Sequence, residues 1–219
     1  MQVDEIVSLG GNCVPTWHIR RHFSIERAGL LDWWIVPFAG LLKLMEDGPS
    51  QLFTPQDTML LPDRDAVVSR SFGFVFYHDF PRDADRRVIE ASIAEKLDGL
   101  REKYMALWRR LDETCASGAS ILFVRTRRDT LVHEKVPIEQ GDSEFGRGDL
   151  GRLCRAIAAR WPAARAKVLY LNFDQRTDNP MAVFDQIEEM NDVTTWAGST
   201  GGWDAMFHRQ GLLLTPKVA

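Results

Sequence analysis

The stretch Glu5-Ile6-Val7-Ser8-Leu9-Gly10-Gly11-Asn12-Cys13-Val14-Pro15 decides how the rest of the chain is read. A short apolar run of strand length stops at two glycines, which tolerate the positive φ of a tight turn. Pro15 follows where the first turn of a helix has no use for its missing N–H. Strand, turn and helix in that order open a β-α-β unit.

Working outward, residues 72–77, 121–124 and 168–173 are apolar on both faces, as interior strands of a covered sheet are. Between the first two, Ile89, Ile93, Leu97, Leu100, Tyr104, Leu107 and Leu111 recur by threes and fours along one helical face. Between the last two, Leu150, Leu153, Cys154, Ile157 and Trp161 repeat that spacing until Pro162 ends it. Strands separated by helices imply parallel pairing. The expected fold is therefore α/β: a mainly parallel sheet with helices on both faces. No repeat, low-complexity tract or linker divides the chain, which reads as one domain over 1–219. A C-terminal helical extension is expected from about 180, docked by Trp203 and Phe207.

With 27 Lys and Arg against 31 Asp and Glu, the net charge of −4 argues against nucleic acid as the partner. Cys13, Cys115 and Cys154 form no Cys-x-x-Cys pair and read as thiols of a reducing compartment, so a cytoplasmic location is expected. The first residues lack the basic start and apolar stretch of a signal peptide. The most apolar segment, 28–45, carries Asp32, Pro37 and Lys43, so a buried segment is expected rather than a membrane span. Neither a cofactor nor a metal is expected. Gly10-Gly11-Asn12 is not a dinucleotide or Walker loop, and His18 and His22 lack the Glu of His-Glu-x-x-His and a third ligand.

Ligands of parallel sheets gather beyond the strands' carboxyl ends. There the sequence places Gly10-Gly11-Asn12-Cys13, then His78-Asp79, then Arg125 with Arg127 and Arg128, then Asn172 and Asp174. Cys13, at a helix N-terminus, is the candidate nucleophile, because the helix dipole favours a thiolate; the alternative is a small buried hydrophobe. Gly11 permits close backbone approach, and Asn12 or the Cys13 N–H could donate to a developing oxyanion. His78, ending an aromatic strand, is the candidate base, or else a histidine bonded to a loop. Asp79 points to the opposite strand face, so the third member is Asp174 or Asn172, with Asp204 beside His208 as a further acid. Arg125 is read as an anion-binding fork at the sheet edge, and Arg127 and Arg128 as solvated charges. Asp32, beside Trp33 and Trp34, either binds a sugar or staples two layers.

Ser8-Leu9-Gly10-Gly11-Asn12-Cys13, Leu31-Asp32-Trp33, His78-Asp79-Phe80 and Phe123-Val124-Arg125 together resemble a bacterial domain-of-unknown-function family labelled papain-like cysteine peptidases, over about residues 6–173. Leu31 stands where that family more often has Phe. The resemblance implies Cys13 as nucleophile and His78 as base, and its members sometimes accompany glycan-synthesis proteins. The resulting expectation is a thiol-dependent hydrolase or acyl/glycan-modifying transferase acting on a small-molecule, peptide or glycan substrate. The competing expectations are a non-catalytic module holding an anionic or sugar ligand in polysaccharide assembly, and a structural partner of a glycan-assembly enzyme. The sequence does not fix the oligomeric state.

Overall fold

The computed structural model describes residues 1–127, 148–190, 192 and 196–215; Arg128 lies outside them. In chain order the elements are β1 (Gln2–Val3), β2 (Glu5–Ser8), α1 (Val14–Phe23), α2 (Phe38–Asp47), β3 (Thr58–Leu60), β4 (Val67–Ser69), β5 (Val75–Phe76), α3 (Ser92–Ala116), β6 (Ser120–Thr126), α4 (Asp149–Arg160), β7 (Arg165–Leu171), β8 (Ala182–Asp185), α5 (Thr200–Arg209) and β9 (Leu213–Leu214).

β2, β6, β7 and β8 form one parallel sheet in that spatial order. Side chains alternate across a strand, and β6 shows what each face buries. Ile121 and Phe123 pack with Leu41 and Leu44 of α2, Tyr104 and Trp108 of α3, and Leu153 and Ile157 of α4. Leu122 and Val124 pack with Ile19 of α1 and Trp203, Met206 and Phe207 of α5. The fold is α/β with helices on both faces. From about residue 180 the chain first supplies strand β8 and only then helix α5, while β1 and β9 pair in parallel as a separate ribbon. Among the described residues no helix is long and apolar enough to cross a membrane.

One expected strand belongs elsewhere. The run 72–77 supplies β5, which lies in an antiparallel sheet with β3 and β4 and not in the parallel one. Only residues 70–74 separate β4 from β5, far fewer than the dozen or so a parallel crossover needs. The Gly73 N–H donates to the Ser69 carbonyl (2.8 Å) and closes a hairpin instead. The run is nevertheless apolar on both faces for a good reason. Phe74 and Phe76 enter the main core, whereas Val75 packs with Leu61, Ala66 and Val68 in a small second core.

An aromatic cluster packs the antiparallel sheet against α3. Trp34 is fully buried among Phe53, Phe74, Phe76 and Tyr104, with ring centroids 4.4–5.7 Å away. Its indole N–H and the Tyr104 hydroxyl both donate to the Asp79 carboxylate, at 2.9 and 2.6 Å, and the Lys103 ammonium lies 3.6 Å from it. Asp79 thus turns inward as a structural acceptor. Asp79→Leu removes the acceptor of the Tyr104 hydroxyl and leaves the Trp34 indole only the Tyr104 oxygen (3.2 Å), so it is expected to lower stability by about 2–4 kcal/mol, read as a lower denaturation midpoint with an unchanged urea m-value.

On the other face His18 is fully buried between α1 and α5, its ring stacked 4.5 Å from Trp203. Its Nε2–H donates to the Ala197 carbonyl (2.9 Å), and Nδ1 has no hydrogen-bond partner, so the ring is neutral. Burial holds its pKa down to about 4, against the Ala197 carbonyl and the carboxylates of Asp204 and Asp192, and with the help of the Arg21 charge. The unfolded chain takes up this proton near pH 6.5 and the native state only near 4. Stability is therefore lost as pH falls through that window, by at most about 3 kcal/mol. A His18→Gln variant is expected to lose less stability than the wild type between pH 7 and pH 4, in parallel thermal melts.

Candidate functional site

The turn before α1 is locked by what surrounds it. Gly10 and Gly11 have φ of 75° and 99°, and a Cβ on either would fall 2.7 Å from Val36 Cγ2 or from Thr126 Oγ1. The Ser8 hydroxyl accepts from the Gly10 N–H (3.2 Å), and the Thr126 hydroxyl donates to the Gly10 carbonyl (3.4 Å). Asn12 Oδ1 accepts from the Val14 N–H (3.0 Å), which satisfies one orphan donor of the first helical turn. That leaves the Asn12 NH2 as the side-chain group able to meet an oxyanion. Cys13 occupies the N-cap, half-buried.

Segment 31–36 ties this turn to the second sheet. The Val36 N–H donates to the Gly11 carbonyl (3.2 Å), and Ile35 makes an antiparallel bridge with Val75 (3.1 and 2.9 Å). Asp32 is buried, accepts from the Gly29 N–H (2.6 Å) and the Thr16 hydroxyl (3.4 Å), and lies 3.8 Å from Arg20. Burial pushes its carboxyl pKa up, outweighing these stabilising contacts. Asp32 also lines a cavity of about 50 Å³ with Ser8, Thr16, Arg20 and Arg110, beside the outer edge of β2. Trp33 meets the His78 ring edge-on at 6.3 Å. The Cys13, Asp32-Trp33 and His78 motifs thus converge on one seam between the two sheets.

Several expectations need correction. Burial pushes the Cys13 thiol pKa up, and its own backbone N–H opposes this only in part. His78 is exposed rather than desolvated, because it follows β5 out of the antiparallel sheet, and no hydrogen bond joins it to the Cys13 thiol among the described residues. Arg125 is not an open fork. β6 runs on through Thr126, so Arg125 points into the core, is fully buried, and donates from Nη1 to the carbonyls of Leu9 (3.1 Å) and Val36 (2.7 Å). A dissolved anion has no access to it.

The three candidate third members have other partners. Asp174 is exposed at the sheet edge and pairs with Arg127. Asn172 accepts from the Ile187 N–H (2.8 Å) and shapes the chain after β7. Asp204 pairs with Arg21 and His22, each at 2.6 Å. His22 is nine residues past Cys13, about 13 Å along the helix, so Asp204 serves the far end of α1. Its carboxylate contacts His22 on α1, while His208 bonds only its backbone carbonyl (2.8 Å).

Sequence reasoning passed over Val36, Thr126 and Trp17. Val36 acts through its backbone N–H and Thr126 through a hydroxyl at the end of a buried strand, and neither leaves a composition signal. Trp17, four residues after Cys13, was legible as a neighbour on the same helical face.

Because Arg125 braces the turn from below, a lysine, with one compact donor group, cannot reach both carbonyls in the same way. Arg125→Lys is expected to unfold early, with a loss of about 2–4 kcal/mol, measured by chemical denaturation.

Compared with known proteins, the chain matches no family model, no curated protein and no solved structure.

Proposed function

We propose that the chain is a thiol-dependent hydrolase or acyl/glycan-modifying transferase in which Cys13 is the nucleophile and His78 its base. The observation that carries this reading is the convergence of the Cys13 turn, the Asp32-Trp33 segment and the His78 turn on one seam, through the Gly11–Val36 bond, the Ile35–Val75 bridge and the Trp33–His78 contact. A thiol whose pKa is raised needs a base when substrate arrives. The His78 imidazole is exposed, and catalytic contacts are often loose without substrate. The thiol proton passes to His78 as sulfur attacks the acyl carbon, the imidazolium protonates the leaving group, and water releases the acyl group from the thioester. The Asn12 NH2 and the Cys13 N–H are the donors offered to the oxyanion. The Cys-then-His order and the motifs of the papain-like family support the same assignment of roles.

A non-catalytic binding module is the second reading. The raised Cys13 thiol and its lack of a hydrogen bond to His78 favour it.

Acyl-enzyme trapping with p-nitrophenyl acetate separates the two. The first reading expects an acetyl adduct on Cys13 alone. Burial pushes the Cys115 thiol up to about 12 and that of Cys154 up as well, and both side chains are inaccessible. Cys13→Ala should abolish turnover and His78→Ala should lower it about 10²–10⁴-fold. Turnover that survives Cys13→Ala, or acetylation spread equally over the three thiols, leaves the binding module.

A further inference from the structure

Trp196 is 62% exposed, an unusual degree for a tryptophan, and the residues that follow it are tied down. The carbonyl of the next residue, Ala197, receives the buried His18 N–H, and Ser199 caps α5 by accepting from the Gly202 N–H (2.9 Å). The Ser199 hydroxyl in turn donates to Asp192 (2.5 Å), which also accepts from the Gly201 N–H (2.6 Å). An indole fixed at its base and bare at its face is a surface prepared for something to lie on.

Its position points to Cys13. The Trp196 ring lies 6.4 Å from Trp17 at 63°, so the two indoles stand beside one another without covering each other. Trp17 is one turn after Cys13, its N–H bonded to the Cys13 carbonyl (3.1 Å). Helical side chains lean back over the preceding turn, which brings the Trp17 indole over the Cys13 end of α1. Arg21 lies over Trp17, 5.7 Å from the ring centroid; its Nη2 is held by Asp204 (2.6 Å), which leaves its other nitrogens to supply planar N–H donors.

We propose that Trp196 and Trp17 form a sugar subsite beside Cys13, so that the substrate is an O-acylated oligosaccharide. This rests on the acyl-transfer reading above and names its substrate class. A pyranose ring has a flat C–H face for an indole and a rim of hydroxyls for a guanidinium, and the patch alternates the same two chemistries. A peptide added as a strand would need main-chain partners from a strand edge. Here the flanking elements are α1 and α5, whose backbone groups are already paired within the helices. In the reaction the sulfur–acyl bond forms as the ester C–O bond breaks. The sugar oxygen leaves as a hydroxyl with the proton that His78 took from Cys13, and water then frees the acid from the thioester.

The test measures binding by the Cys13→Ala chain, which cannot turn over, to chitotetraose, xylotetraose and cellotetraose, each with and without O-acetyl groups. Tryptophan fluorescence and saturation-transfer NMR give the readout. At least one of the six is expected to bind, with Trp196→Ala weakening it tenfold or more and Trp196→Phe restoring most of it. Trp17→Ala should weaken it as well. Binding of none of the six, equal binding by Trp196→Ala, or preference for an aromatic peptide library overturns the subsite. Failure of the acyl-transfer reading is told apart because it shows in the acetyl adduct of the wild type and leaves sugar binding by Cys13→Ala untouched.

Discussion

A guanidinium shut away from water must find its acceptors within the protein, and that constraint on Arg125 organises the centre of this molecule. Its Nη1 reaches Leu9, at the end of β2, and Val36, in the segment leading to the antiparallel sheet, from a strand that lies between the two faces of the core. Phe38 sits against the same guanidinium, 5.5 Å from its centre. Once these carbonyls are fixed, Val36 is placed to donate to Gly11, and the Gly10–Gly11 turn is closed between Val36 and Thr126 with no room for a side chain. The position of Cys13 follows from contacts that are all structural.

Much of the architecture was legible because burial on both faces leaves a plain mark in a sequence. β2, β6 and β7 are apolar runs, α3 and α4 carry their apolar stripes, and Pro162 ends the second of them. The same mark misplaced the 72–77 run, since a strand at the junction of the main core and a small one is as apolar as one inside a parallel sheet. The short interval after β4 was the clue that only a hairpin would fit. β8, with every residue half-buried, carries no such mark, and it stands at the edge of the sheet.

The candidate site was legible as a set of motifs and less so as a set of roles. Sequence order cannot tell an arginine that faces solvent at a strand end from one that faces inward a residue before the strand stops, and this is the difference at Arg125. Nor can it show that Asp79, adjacent to His78, is taken by Trp34 and Tyr104. What links the segments that carry Cys13, Asp32 and His78 is the Gly11–Val36 bond and a backbone bridge between Ile35 and Val75, residues that no chemical motif contains.

The parallel sheet is assembled in chain order, but its joints are unequal in sequence distance. Among the described residues the connection from β6 to β7 carries the helix α4, a local βαβ unit, whereas β2 meets β6 across a separation of 116 residues at the Leu9–Arg125 bond. Loop-closure entropy falls mainly on that second joint, and pairings of such long range are made slowly. The turn bearing Cys13 hangs on it, so the candidate site takes shape only after strands 116 residues apart have met.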